Sequence, residues 1–357
     1  MPDPNGSAIR VSRPTITIDG EDKPTLIERL ISLEIVERVE GLYRLEAEFG
    51  NLGPVDNQPG FLFFDRQTID FGKTVKVKLE SDTIFEGRIT GIEAEFPDGD
   101  EPKIFILAED KFQDLRMKRR TRTFDDMSDS DIAGRIAGDH GLTPDVNMSG
   151  PTHKVVAQVN QSDLAFLRER ARDVDAELWM EGSTLHVQSH SARGGQPFQL
   201  AYGSGLREFR VLADLSLQRT SFSVSGWDVA GKSAITHEAT ASVISSELNG
   251  DVSGVSILSS KFGDRKEALA HGVPLTSGEA QTEAESYFKL AARRFVVGHG
   301  VAETDARFHV GKKADIGAVG PLFSGTYYLT EVRHLFDLSQ GIRTEFTAQR
   351  PGIGQAS

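Results

Sequence analysis

His186 and His190 stand four residues apart, the spacing at which two histidines on one helix face share a metal ion. They lie in the run TLHVQSH, however, which alternates like a strand before a loop, and four residues of strand span about 13 Å. The two cannot share a zinc ion, and a chain without cysteine offers no thiolate to complete a site. Asp125, Asp126, Asp129 and Asp131, in FDDMSDSD, carry the oxygens that calcium favours. The central glycine and late glutamate of a calcium loop are missing there, so helix capping and dipole placement account for them. Gly254-Val255-Ser256 begins a nucleophile elbow, but Leu258 occupies its closing glycine position. Gly298-His299-Gly300 begins a dinucleotide fingerprint, but Glu303 stands at the third glycine, and no phosphate-loop sequence occurs. Trp227, Asp228 and His334 read as core and turn residues, since nothing nearby completes a triad. No catalytic, cofactor-binding or metal residue is assigned, no cofactor is expected, and the chain reads as a non-enzyme.

The elements that would carry such residues are mostly strands. Ile342, Thr344, Phe346 and Ala348 alternate with Arg343, Glu345, Thr347 and Gln349, the period of a half-buried strand. Tyr327 to Phe336 precedes it across a turn ending in Gly341, and the slip of apolar phase between Leu329 and Val332 predicts a bulge. Val75, Val77 and Leu79 share one face of TVKVKLE, and Ile84 to Phe96 and Lys103 to Ala108 flank an Asp98-Gly99 turn. After the basic run Arg116 to Arg122 the period changes. Ser128 with Asp131 predicts a capped helix ended by Gly138 or Gly141. Ser162 predicts a second helix, with Leu164, Leu167, Ala171 and Val174 on one stripe. AELWM and STLHV then turn at Glu181-Gly182, and a further helix is expected from Ser277 to Phe295.

At 357 residues the chain can bury two or three cores. It has no cysteine, which excludes a disulfide framework and fits assembly in a reducing cytoplasm. The start MPDPNGSAIR has no signal-peptide pattern, and no run of about 18 apolar residues predicts a membrane span. A net charge of −13 argues against nucleic-acid recognition. The basic run RMKRRTR could meet an acidic partner or a neighbouring subunit, although a solvated linker at a domain boundary is the plainer reading.

Several motifs, in order, resemble one family. These are F-x-G-x-I at Phe85, A-x-D-x-x-x-x-L at Ala108, Q-x-N-Q-S-D-L-x-F-L at Gln158 followed by A-E-L-W and T-L-H-V, and G-W-D at Gly226. The G-x-Y-x-L-x-x-V-x-H segment at Gly325 and the G-x-x-T-x-F strand at Gly341 close the series. The chain resembles the late control D / VgrG family, baseplate hubs of contractile phage tails and related injection systems, from about Ile16 to Pro351. The resemblance implies a mainly β (α+β) chain with two tail-tube-like β-barrels and inserted modules. Its divisions would be 1–116 (first barrel with N-terminal arm), 117–198 (inserted α/β module), 199–350 (second barrel, insertion at about 231–311) and 351–357 (tail). Two barrels suggest an internal duplication, although no residue-level repeat stands out.

It further implies a homotrimer that presents six similar barrels to a hexameric tail tube protein and holds a spike, beside other baseplate proteins. Assembly would be in the bacterial cytoplasm and residence in the tail or injection-particle baseplate. Because the chain stops where longer relatives continue, the spike would be a separate protein and residues 353–357 a mobile arm. Three copies carry about −39, disfavouring adhesion of DNA if some of that charge lines the lumen. The alternatives are a tail-associated peptidoglycan hydrolase, which lacks a visible dyad, and a carbohydrate-binding tail module, for which 8% aromatic residues is weak support.

Overall fold

The computed structural model describes residues 13–228, 231–269, 274 and 276–355. The expected N-terminal arm, residues 1–12, lies outside the described residues, as do 356–357. The fold is mainly β, and two six-stranded units dominate it. The first uses Thr15–Ile18, Leu30–Arg38, Arg44–Gly50, Thr74–Leu79, Asp82–Glu95 and Lys103–Glu109. The second uses Phe198–Tyr202, Gly205–Ala213, Val296–Glu303, Lys313–Gly317, Gly325–Asp337 and Gly341–Arg350, and closes into a barrel. Counted along the chain, strands lie side by side in the order first, fourth, fifth, sixth, third, second in both units. Each unit has its own core: Ile16, Leu33, Ile35, Phe49, Val77 and Ile106 in the first, Leu206, Phe308, Tyr327, Leu329, Val332 and Phe346 in the second. Alternation sorts these side chains, since every second residue of a strand points inward.

The duplication reaches single residues. Ile89-Thr90-Gly91-Ile92 in one fifth strand answers Leu329-Thr330-Glu331-Val332 in the other, 240 positions on. In both, the register against the sixth strand shifts at the threonine: Ile89 faces Ala108 and Gly91 faces Leu107, while Leu329 faces Ala348 and Glu331 faces Thr347. Thr90 and Thr330 each donate a hydroxyl to the carbonyl across the bulge, of Leu107 and Thr347. Before each fourth strand stands Gly-Lys with glycine at positive φ, 80° at Gly72 and 88° at Gly311. Gly72 N–H donates to Ile89 O and Gly311 N–H to Leu329 O, while Ile89 N–H and Leu329 N–H return bonds to Lys73 O and Lys312 O. Glycine is required there because a side chain is strained in the left-handed region.

The units share one sheet: Leu30–Arg38 of the first pairs antiparallel with Gly325–Asp337 of the second, from Arg38 opposite Glu331 to Ser32 opposite Asp337. Between them in sequence lies the α/β module. Helices Asp129–Asp139 and Asp163–Asp173 begin at Ser128 and Ser162, whose hydroxyls accept from Asp131 N–H and Ala165 N–H. Leu164, Phe166, Ile132 and Ile136 form its core with Leu178, Leu185 and Val187 of a three-stranded sheet.

Three boundaries differ from the expectation. The insertion in the second barrel runs from Ala213 to Val296: Ser221–Asp228 leaves the barrel to pair with Ser233–Thr240 and Lys266–Leu269, under helix Ser277–Arg293. Val296–Glu303, expected within the insertion, is a barrel wall paired on both sides. Its glycines hid it, and they are there for space: a Cβ at Gly298 would come within 2.5 Å of the Phe209 ring, and one at Gly300 would overlap Phe346. The chain also does not leave the barrel as a free arm after Arg350. Gly352–Ile353 pairs with Val252–Ser253, and Gly354 N–H donates to Leu322 O. The proline blocks a longer ladder but not a short return pairing.

Candidate functional site at the junction of the barrels

Glu37 falls in phase with Leu33 and Ile35 on the inward face of its strand and is fully buried. Buried carboxylates need partners, and two come from the second barrel: His309 Nδ1 at 2.7 Å and Val310 N–H at 2.9 Å. Burial opposes the charge of Glu37, but His309 and the Val310 N–H hold its pKa below the ordinary value. Burial likewise opposes charge on His309, and Glu37 overrides it, raising the imidazole. His334 nearby, its Nε2 3.2 Å from Phe308 O, is driven down to about 4 by burial.

A second chain of polar contacts runs through all three units. Asp110, after the last strand of the first barrel, accepts from Tyr43 N–H at 2.9 Å and Phe112 N–H at 3.0 Å. No cation among the described residues is bonded to it, and burial pushes its pKa up to about 7. Arg193 of the module donates to Tyr43 Oη (2.7 Å) and to Glu177 (2.8 Å). Glu177 also accepts from Tyr328 Oη of the second barrel at 2.6 Å and lies 2.8 Å from His190 Nδ1. Burial opposes its charge, but His190 and Arg193 bring Glu177 down to about 2. The Arg193 guanidinium lies 4.4 Å from the Trp179 ring centre, and Trp179 stacks on His186 at 4.8 Å. Glu37, Tyr43, Asp110, Trp179, Arg193 and His309 line a cleft of about 590 Å³. Glu37–His309, Arg193–Tyr43 and Tyr328–Glu177 each cross from one unit to another, so the arrangement ties the three units together.

The sequence candidates are scattered. His186 faces Asp145 (2.7 Å) and His190 faces Glu177, so the two histidines serve different carboxylates. Asp131 completes a capping box with Ser128, Asp129 is buried against Arg170 and His153, and Asp126 pairs at the surface with Lys154; Asp125 is exposed. Ser256 sits 2.8 Å from Ser253, the cap of helix Gly254–Phe262, and Leu258 is buried. Asp228 shapes a turn by accepting from Gly231 N–H, and His334 is in the core. Trp227, expected in the core, is 52% exposed, because its strand belongs to the small inserted sheet with one face in solvent. Only the end of the basic run departs from a solvated linker: residues 116–119 are exposed, but Arg119–Ser128 is a strand, and Arg120 and Arg122 converge on Asp163 at 3.0 and 2.9 Å. Among the described residues no three metal-ligating side chains cluster, and no helix is long and apolar enough to cross a membrane. The junction residues were missed, although Glu37 in phase with an apolar face was a visible signal.

The family model described as "Alg8 N-terminal domain" matches residues 58–337. No curated protein matches the chain. Among solved structures, the 43 kDa tail protein of prophage MuSo2 from Shewanella oneidensis superposes with a TM-score of 0.70 at 12% identity, over 95% of this chain and 98% of that one. The tail protein from Neisseria meningitidis MC58 gives 0.69 at 11%, covering 96% and 97%. The E. coli c3393 protein, described as a type VI secretion component structurally similar to the T4 tail proteins gp27 and gp5, gives 0.58 at 13%, covering 96% and 79%. The fold is thus one shared with tail proteins.

Proposed function

The chain belongs to the Alg8 N-terminal domain family, and from its fold we propose that it is a structural hub of a contractile tail or injection system, of the late control D / VgrG kind. In this reading it trimerises, seats a hexameric tube on its six barrels and carries a spike on the other side, as part of a particle baseplate built with other tail proteins. The observation that carries the reading is the duplication: one chain holds two barrels of one strand order, with matching bulges and Gly-Lys turns, joined by a shared sheet. Three such chains supply six similar units, the number a sixfold ring needs. The junction network supports it, since a hub must hold its two barrels at a fixed angle under load. The reading assigns the chain no chemistry of its own.

Light scattering of the chain with its tube and spike proteins, or averaging of tail particles, should show three copies on one axis. A chain that stays monomeric with both partners present sinks the proposal. Alanine at His186, His190, Ser256 or Asp228 should leave lysis by assembled particles intact; loss of lysis with normal assembly would favour the hydrolase reading.

A further inference from the structure

Phe61, Phe64 and Phe96 form a ring cluster at one end of the first barrel, with centroids 5.0, 5.7 and 6.0 Å apart. It is turned to solvent: Phe61 is 47% and Phe96 61% exposed, beside exposed Leu52 and Val55. Contiguous apolar surface of this kind marks an interaction site more often than chance exposure does. The hairpin Leu52–Val55/Gln58–Phe61 that presents it carries Pro54 opposite Pro59, so it is poorly suited to add a further strand and offers its side chains instead. Its rim is mainly acidic, with Arg29 and Lys103 already paired with Glu101 and Glu48. From Asn51 to Asp65 and from Glu95 to Pro102 the charged residues are Asp56, Asp65, Glu95, Asp98, Asp100 and Glu101, with no lysine or arginine.

The opposite pattern stands at the other end of the same wall. Strand Lys103–Glu109 leads away from the patch for about 20 Å, and helix Phe112–Arg116 then ends at Met117. Met117 is 71% exposed, between exposed Arg116 and exposed Lys118 and Arg119. Arg116 pairs with Glu109, whereas Lys118 has no ion-pair partner among the described residues. The two surfaces match in having an apolar centre and are opposite in charge, and a thioether packs well on aromatic rings. Lying at opposite ends of one barrel, they cannot meet within a chain.

We propose that the Met117 knob of one copy docks on the Phe61/Phe64/Phe96 patch of a second copy of this chain, a head-to-tail contact that repeats around the ring. The inference deepens the trimeric reading above and rests on it. The absence of cysteine makes the test clean, because Asp98→Cys and Lys118→Cys add the only thiols and leave both apolar centres in place. In full-length chain co-expressed with tube and spike, mixed single variants should form a disulfide-linked dimer on oxidation, and the double variant a covalently closed trimer. Asp98→Lys and Lys118→Glu should each weaken assembly about tenfold by setting like charges face to face, and together restore it. Trimers by mass that show neither cross-link nor rescue overturn this contact and leave the hub reading standing. Capture of the Asp98→Cys thiol by the tube protein overturns it too, by making the tube the occupant. A chain that is monomeric with both partners present overturns both.

Discussion

The two barrels share a strand order but only the second closes by hydrogen bonds. There Phe198–Tyr202 runs parallel to Lys313–Gly317 and, through a turn with Gly203 and Gly205 at φ 80° and 85°, meets the start of Gly205–Ala213. In the first, Thr15–Ile18 runs antiparallel to Thr74–Leu79, and no ladder joins it to Leu30–Arg38. Helix Pro24–Arg29 follows instead, with Leu26 fully buried in the first core. An apolar plug can therefore stand in for a row of backbone bonds, provided the other five seams hold register. The strand that gave up that seam is the one that joins the barrels: Leu30–Arg38 spends its free edge on Gly325–Asp337. Equivalent ends of the sixth strands also diverged. Asp110 stands where Arg350 stands 240 positions on; the first accepts two N–H groups, and the second donates to the carbonyls of Ser324 and Gly352 and to Asp251.

The equivalence is most severely tested inside the walls. Phe346→Asp and its counterpart Ile106→Asp each bury an unpaired carboxylate, at several kcal/mol, and both should abolish folding or assembly. Soluble, assembled protein from either would show that the paired registers are wrong. Next, Arg350→Met removes the donor to the carbonyls of Ser324 and Gly352 and to the partly exposed Asp251, and should cost about 1–3 kcal/mol by chemical denaturation. Its counterpart behaves differently because burial raises Asp110 to about 7. With a folded pKa above the unfolded one, this group's stabilisation is complete below the ordinary carboxylate range and is lost as pH rises through about 7. Asp110→Asn should therefore flatten the fall in stability between about pH 4 and 8. An unchanged slope would mean that the carboxyl is solvated.

Smaller effects separate the two Gly-Lys turns. Gly72→Ala meets open space and pays only for its positive φ, about 1–2 kcal/mol. Gly311→Ala has the same strain and also overlaps Arg193, so it should cost more and loosen the Tyr43–Arg193–Glu177 chain. Equal melting shifts would remove Arg193 from the junction. Smallest are Thr90→Val and Thr330→Val, about 0.5 kcal/mol each, since both hydroxyl bonds are long.

How much of this was legible follows from what each feature depends on. The final hairpin could be read because its inward set is an unbroken alternation, and its bulge because the phase slips at Thr330. The helix starts at Ser128 and Ser162 could be read because capping is local chemistry. The repeat could not, because what was kept is a bulge position and a positive φ: Ile-Thr-Gly-Ile and Leu-Thr-Glu-Val look alike only once both threonines are seen reaching across. The insertion was misplaced for a similar reason, since strand glycines that clear rings read as loop. The junction was hidden because its partners are distant in sequence, as with Glu37 and Val310.

That distance also sets a timetable. Glu34 and Arg333, bonded across the shared seam, are 299 residues apart. A ribosome adding about 5–20 residues per second leaves the Leu30–Arg38 edge bare for about 15–60 s after it emerges. Through that interval the nascent first barrel has an open strand edge and a Glu37 carboxylate still waiting for its histidine, so strands made about 300 residues later are what makes this edge safe from aggregation.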